Sequence, residues 1–314
     1  MRKSVPRCAL IVHGGAGAAS PANERGPRKA TILAAVEAGA AILRAGGSAL
    51  DAVIASVTVL ENHPLFNAGY GSTLNADGEV EMDASVMVAD RTGVRTGAVG
   101  AVTGIRNPVQ LARAVMEQTP HVLMVGRGAE RLAHRVGIEI LRPEQLISPR
   151  ARERYLERVR RTRENVDRAH GTVGAIALDA DGQLAAATST GGVPGKLPGR
   201  VGDSAIIGAG TFANRIAAAS ATGHGEAIIR ASLCRETVGA SGKSDLTRVA
   251  QRMIVKLIAP QHHEAGIIVV DRRGRIGYAH NAEAMEVGIM DVRGRLRFER
   301  AARIGLKPKP AQVK

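Results

Sequence analysis

Tryptophan is missing from this chain of 314 residues, and phenylalanine and tyrosine supply three side chains each. So thin an aromatic inventory offers few platforms for stacking bases, which argues against a single-strand or RNA reader. The core must be assembled from Ala, Val, Ile and Leu, with backbones drawn together at some of its 37 glycines. Cysteine is scarce too. Cys8 and Cys234 stand far apart, with neither metal-ligand spacing nor a disulfide framework, so a reducing, cytoplasmic setting is expected. No apolar run approaches the roughly 20 residues of a membrane span, so no membrane partner is expected. The short stretch after the basic Met1 to Arg7 runs into His13 and reads as a strand, not a leader.

Acidic residues are in deficit as well, 29 against 43 Lys and Arg, for a formal net charge of +14. Much of the excess lies between Pro149 and His170, where Glu153, Glu157, Glu164 and Asp167 interrupt the arginines. Mixed signs of this kind read as a solvated helix or linker rather than a groove-reading surface, so no nucleic-acid partner is expected. The charge by itself supports only the alternative of a basic, non-catalytic nucleic-acid-binding protein.

What is present is a series of short β-rich runs separated by helical ones. Ala9 to Val12 reads as a buried strand ending at Gly14-Gly15. Helices are expected over Arg28 to Arg44, Ala49 to Leu60 with Ser48 as N-cap, Pro108 to Glu117, Gly225 to Arg235 and Leu246 to Leu257. Hairpins are expected around Asp90 to Gly93, Asp181-Gly182 and Arg273-Gly274. Strands in hairpins with helices between them favour layered antiparallel sheets with helices outside. The basic segment ending at His170 is the best internal boundary, and a strand opens just beyond it.

Several motifs could carry chemistry. Gly14-Gly15-Ala16-Gly17 falls short of a dinucleotide fingerprint, because the pattern ends in Ser20 and Pro21 and Pro27 interrupt the helix it would open, so a tight turn is the better reading. Gly171-Thr172-Val173-Gly174 places a hydroxyl at a loop-to-strand boundary directly after a glycine. Downstream lie Thr188 to Gly192, Gly199 to Ser204 and Thr222-Gly223-His224-Gly225-Glu226. No His–Asp pair with triad organisation appears, and His13, His63 and His224 lack zinc-ligand spacing.

With Val12-His13-Gly14-Gly15-Ala16-Gly17, Phe66-Asn67-Ala68-Gly69-Tyr70-Gly71-Ser72 and Gly78 to Ser85 in this order, the chain resembles the plant-type asparaginase and isoaspartyl peptidase family of N-terminal-nucleophile hydrolases. The resemblance implies an α+β fold, an αββα four-layer sandwich of two stacked, mainly antiparallel sheets flanked by helices. It implies a cut between Gly171 and Thr172. The products are an α subunit, 1–171, carrying the basic linker at about 149–171, and a β subunit, 172–314. Both would belong to one folded domain, with a disordered tail expected over about 298–314.

Chemistry supports such a cut. A threonine hydroxyl needs a base, and a free α-amine of pKa roughly 7.7–8 on the same residue is a suitable one. By resemblance, Thr172 is the nucleophile, Thr190 bonds it, and Thr222 with Gly223 form the oxyanion hole. Arg200 takes the substrate α-carboxylate, Asp203 and the Gly225 carbonyl take its ammonium, and Asn67 lies near the nucleophile. The implied activity is hydrolysis of isoaspartyl dipeptides and of L-asparagine, by a dimer of αβ units. No cofactor is expected for catalysis. A structural sodium ion is implied on the backbone carbonyls of Leu60, Glu61, His63, Phe66, Ala68 and Tyr70. Glycosylasparaginases of the wider superfamily carry Asp before the nucleophile. Gly171 disfavours that alternative, while Pro260 to Ala265, in place of a Gly-rich turn, leaves the substrate preference open.

Overall fold

The computed structural model describes residues 8–160, 171–242 and 244–305. In chain order its elements are β1 (Ala9–Gly17), α1 (Ala22–Arg44), α2 (Ala49–Glu61), β2 (Met82–Ala89), β3 (Val94–Val102), α3 (Pro108–Gln118), β4 (Leu123–Val125), α4 (Gly126–Arg135), α5 (Pro143–Leu146) and α6 (Pro149–Arg160). Then follow β5 (Val173–Leu178), β6 (Leu184–Thr190), β7 (Thr211–Ala213), β8 (Ala217–Gly223), α7 (Gly225–Ala231), α8 (Leu233–Gly239), α9 (Leu246–Met253), β9 (Ala265–Asp271), β10 (Ile276–His280), β11 (Ala284–Met290) and β12 (Leu296–Arg300).

Among the described residues the strands form two sheets, ordered β12-β11-β1-β5-β6-β2-β3-β4 and β10-β9-β8-β7. All neighbours are antiparallel except β3 and β4, which run parallel. Side chains along a strand point alternately to its two faces, and this alternation builds the layers. Leu10 and Val12 of β1 pack toward α1 and α2, whereas Ala9 and Ile11 face the small sheet. On β9, Ile268 and Val270 meet the large sheet, and Ile267 and Val269 pack under α7 to α9. The result is the expected αββα sandwich.

Small side chains keep the two sheets close, and hydroxyls occupy part of the space between them. Ser85 donates to Thr211 at 2.8 Å, Thr211 to Thr188 at 2.5 Å, Thr188 and Ser220 share a bond of 2.8 Å, and Ser220 meets His13 Nε2 at 3.0 Å. Each hydroxyl so buried has a partner, as burial requires. Burial also holds the His13 imidazole neutral, its pKa lowered to about 3 against a raising contribution from the Thr172 backbone.

Local structure departs from the sequence reading in instructive places. Ser48 does cap α2, accepting from Asp51 N at 3.1 Å. Helix α1 begins at Ala22, earlier than expected, with Pro27 inside. The ring removes one backbone bond near the helix start, a small loss where the long apolar face is already buried. The helix expected over Gly225 to Arg235 breaks at Ser232, which takes φ 46°. The one expected over Leu246 to Leu257 passes into a π turn after Met253.

Two larger expectations need correction. Residues 298–300 are not an irregular tail: they end β12, which completes the open edge of β11. Ala301 N donates to Met285 O and Ile304 N to His280 O, each at 2.9 Å. Positions 306–314 lie outside the described residues. Nor is the first half of the basic segment a free linker. Arg150 of α6 holds Glu24 through Nε and Nη2, each at 2.9 Å, and Tyr155 packs over Gly78. Residues 161–170 of that segment lie outside the described residues.

Helices α1 and α2 meet at Gly39, where an added Cβ would stand 2.5 Å from Ser56 Oγ and 2.8 Å from both Ala52 O and Leu10 Cδ2. Gly39→Ala is expected to destabilise the fold by about 1–3 kcal/mol through overpacking. Urea denaturation of the uncut Thr172→Ala chain measures it; an unchanged midpoint would contradict this packing.

Candidate active site

Gly171 and Thr172 lie where the chain enters β5, in the middle of the large sheet. Thr172 is buried. The carbonyl oxygen of Gly171 accepts from Asn67 Nδ2 at 2.8 Å and from Thr190 Oγ1 at 3.0 Å. Asn67 is itself fixed: its Oδ1 accepts from Thr73 N at 2.8 Å, and Nδ2 also donates to Gly192 O at 2.7 Å. Thr190 Oγ1 accepts from Gly192 N at 3.0 Å and stands 3.4 Å from Thr172 Oγ1, which donates to it. Glycine is needed at 191, because a Cβ there would stand 2.6 Å from Asn67 Oδ1. Thus one hydroxyl-to-hydroxyl path runs from Thr172 through Thr190 to the carbonyl before Thr172, and a side-chain amide polarises the same carbonyl.

Opposite this group, β8 ends in Thr222 and Gly223. Thr222 Oγ1 accepts from Ala16 N at 3.1 Å, which leaves the hydroxyl proton available to a developing oxyanion. Gly223 adopts φ 128° beside the Glu264 carbonyl, a backbone state suited to glycine. His224 N donates to that carbonyl at 2.9 Å and so locks the turn.

A small, narrow cleft is lined by Thr172, Thr190, Gly223, Gly225, Arg200 and Asp203, among others. Every polar group assigned from sequence to nucleophile, oxyanion hole and aspartyl recognition therefore borders it or, like Thr222 and Asn67, adjoins its lining. A Cβ on Gly225 would stand 2.6 Å from Arg200 Nη2 and 2.9 Å from Asp203 Oδ1, so this glycine sits between one cation and one anion. Asp203 is buried and its Oδ2 lacks a hydrogen-bond partner. Burial pushes its pKa up to about 7, against the lowering pull of Arg200 and with further upward pressure from Asp83 and Glu226. An unpaired buried acceptor is unusual in a folded protein; Oδ2 lies on the side of Gly210, and Oδ1 is the oxygen that Gly225 brings to the cleft.

Other charged groups of this site escaped the sequence reading. Arg200 Nε and Nη2 both donate to Glu226 Oε1, at 2.9 and 2.8 Å. Burial opposes the ionisation of Glu226, but Arg200 prevails and holds its pKa below the usual carboxylate range. Asp83 accepts from Ala101 N and Gly202 N, fixing the loop behind Arg200. Lys196 is buried, donates to Glu81 O at 2.9 Å, and has its pKa lowered by burial despite Asp83 and Glu81 nearby. Glu226 had a signal, since it completes the motif begun by Thr222. Lys196 had none, because a lone lysine in a loop is ordinarily solvated.

The loop after α2 carries the carbonyls expected to face a cation. A Cβ on Gly71 would collide with the oxygens of Phe66, His63 and Pro64, and one on Gly69 with that of Glu61. Leu60 O, His63 O, Phe66 O and Ala68 O each accept a backbone bond within the loop, which leaves each a second lone pair. Among the described residues no cluster of His, Cys, Asp and Glu side chains could hold a metal. No helix among them is long and apolar enough to cross a membrane.

Fold and site together define a hydrolase of the N-terminal-nucleophile class. The sequence pattern of the family described as Asparaginase matches residues 6–297, and the chain belongs to that family. It is 50% identical over 230 residues to an isoaspartyl peptidase/L-asparaginase of Mus musculus, covering 72% of this chain and 70% of the relative. A Bos taurus protein of the same name is 45% identical over 272 residues, covering 84% and 87%. An isoaspartyl peptidase of Escherichia coli strain K12 is 42% identical over 296 residues, covering 89% and 91%.

The raised pKa of Asp203 gives a direct test. In the unfolded chain the group titrates near 3.8, and in the folded chain at about 7. The folded state therefore binds this proton more tightly. The stability it contributes is present below about pH 4 and is lost as pH rises through about 7. Carboxyl carbon NMR of uncut Thr172→Ala protein should show one aspartate titrating near pH 7, absent in the Asp203→Asn form. Titration of every aspartate below pH 5 would contradict the burial argument.

Proposed function

We propose that the chain cuts itself between Gly171 and Thr172 and then hydrolyses the β-amide of aspartyl compounds, both L-asparagine and isoaspartyl dipeptides. The observation that carries this reading is the double hold of Asn67 and Thr190 on the Gly171 carbonyl, with the Thr172 hydroxyl bonded to Thr190. In the cut, Thr172 Oγ1 bonds to the Gly171 carbonyl carbon, and negative charge gathers on an oxygen already held by two donors. The C–N bond breaks, the nitrogen leaves as the amine of Thr172, and an ester joins Gly171 to its hydroxyl. Water then divides the ester into the Gly171 carboxylate and the free Thr172 hydroxyl.

The mature residue carries its own base. The α-amine takes the hydroxyl proton as Oγ1 attacks the substrate's side-chain carbonyl, and passes it to the leaving nitrogen. Thr222 Oγ1 and Gly223 N–H receive the oxyanion. Arg200 meets the α-carboxylate, and Asp203 with the Gly225 carbonyl meets the ammonium. The relatives named isoaspartyl peptidase/L-asparaginase support this choice of substrates. The same reading includes a dimer of αβ units in the cytoplasm. It also includes a monovalent cation on the carbonyls of Leu60, Glu61, His63, Phe66, Ala68 and Tyr70, where it would order the loop that carries Asn67.

Purified protein should resolve with time into two chains, the smaller beginning at Thr172 by Edman sequencing, and should hydrolyse asparagine and β-Asp-Leu in preference to N-glycosyl-asparagine. Thr172→Ala should remain one chain and be inactive; hydrolysis by that uncut variant would refute the assigned nucleophile. Asn67→Ala, lacking one donor to the scissile carbonyl, should cut more slowly by about 10²-fold or more. Intact mass with time follows it, and cutting at the wild-type rate would remove Asn67 from the mechanism.

The pH dependence should separate Asp203 from the amine. Only the Asp203 anion pairs with an ammonium, so kcat/KM should fall as pH drops below about 7 in the free enzyme. Bound substrate neutralises the site and lowers that pKa, so the Asp203 contribution should vanish from kcat. Superimposable acid limbs in the two profiles would argue that Asp203 does not receive the ammonium.

A further inference from the structure

Two cavities meet at Gly171. The inner one is the cleft of Thr172, Arg200 and Asp203. The outer one, open to solvent and of about 100 Å³, is lined by the segment from Gly14 to Pro21, by Leu65 and Met285, and by Arg28, Arg150 and Arg154. Asn67 and Gly171 belong to its wall as well. We infer that this outer cavity receives the leaving residue of an isoaspartyl dipeptide, and that Arg150 and Arg154 select a leaving residue with a free C-terminal carboxylate. The inference rests on the proposed function and specifies its substrate.

Proton transfer fixes the direction. The amine of Thr172 hands its proton to the leaving nitrogen, so that nitrogen must come within a hydrogen bond of Thr172 N, on the side where Gly171 lies before the cut. The inner cleft is small and is filled by the aspartyl half of the substrate. Whatever is attached to the leaving nitrogen must extend the other way, through the space that Gly171 vacates. Gly15 keeps that passage open: a Cβ on it would stand 3.2 Å from Gly171 Cα and 3.4 Å from Thr172 N.

The outer lining suits an amino acid better than ammonia. Leu65, Ala18, Ala19 and Pro21 offer apolar surface to a side chain. Arg28 is committed to Glu286, Leu65 O and Gly14 O, and so shapes the wall rather than binding a ligand. Arg150 and Arg154 are four residues apart on α6 and therefore share a helix face. Glu24 engages the Nε–Nη2 edge of Arg150 and pins the guanidinium in place, while a guanidinium carries five N–H donors in all. A carboxylate arriving at this face would meet the pinned, charge-assisted donors of Arg150 beside the positive charge of Arg154. Asparagine releases ammonia and gains nothing from them. Two arginines of the basic segment thereby acquire a task.

The test compares cut wild-type enzyme on asparagine, β-Asp-Leu and β-Asp-Leu amide. The amide keeps the leucine side chain but replaces the carboxylate. The free dipeptide should exceed its amide in kcat/KM by about tenfold or more, the effect expected of one charge-assisted contact. In Arg150→Gln/Arg154→Gln enzyme the ratio of dipeptide to amide should fall toward one. A wild-type ratio near one, with asparagine turned over normally, would overturn the subsite and leave the proposed function standing. A ratio unchanged in the double variant would overturn the assignment to these arginines. Failure of cut wild-type enzyme to hydrolyse any of the three would overturn the function and the subsite with it. The wild-type comparison decides the point even if the double variant does not fold.

Discussion

A single carbonyl oxygen, that of Gly171, organises the centre of this molecule. Two donors reach it from different parts of the chain: an amide from the loop after α2 and a hydroxyl from the end of β6. Each donor is fixed by further bonds to Thr73, Gly191 and Gly192. This cross-linking explains the density of glycine around the site. Backbone must pass within contact distance of side-chain oxygens, and at Gly191 or Gly15 a methyl group would occupy the reacting space. The hydroxyl ladder between the sheets answers the same need for closeness, since serine, threonine and alanine keep strands near where larger aliphatic side chains would part them.

Around that carbonyl the charges are arranged for a ligand rather than for the empty protein. Arg200 is braced by Glu226 and backed by Asp83, and Lys196 is buried just behind. Asp203 turns Oδ1 toward Gly225 at the cleft and keeps Oδ2 buried without a partner on the side of Gly210, and its pKa is pushed up to about 7. Leaving a buried polar atom unsatisfied costs stability, on the order of 1–3 kcal/mol for a neutral group. Such a cost is tolerated where the other oxygen of the same carboxylate is kept for a substrate ammonium. The same logic explains why the neighbouring His13 is not a base: deep burial keeps it neutral, and Ser220 engages it.

Much of this was legible beforehand because the informative signals are local. The Asp-Gly and Arg-Gly turns define their hairpins by backbone preference, and Ser48 caps α2 as its residue type predicts. The motif residues Thr172, Thr190, Arg200, Asp203, Thr222 and Gly223 came together as the family resemblance implied. The misreadings are those where distant partners decide. Strand β12 was invisible because Leu296 to Arg300 is charged and short, and pairs only because β11 presents an open edge. The segment of α6 read as a solvated helix or linker; the helix is there, but nothing near it in sequence announces that it docks on Glu24 and Gly78. Lys196 drew no notice in the sequence, because burial is a property of the assembled fold.

The sequence by itself determined the alternation of layers, and it placed a threonine after a glycine at a strand start and one cation three residues from one anion, the groups on which the proposed chemistry draws. These follow from side-chain chemistry and from spacings of a few residues, which survive any fold that keeps the motifs exposed to one another. Only the tertiary structure decided which carbonyl accepts two side-chain donors, which aspartate has its pKa raised by burial, and which arginines line the cavity beyond Gly171. Those properties depend on distances between residues more than 100 positions apart and on the exclusion of water, and neither exists until the sheets have closed on each other.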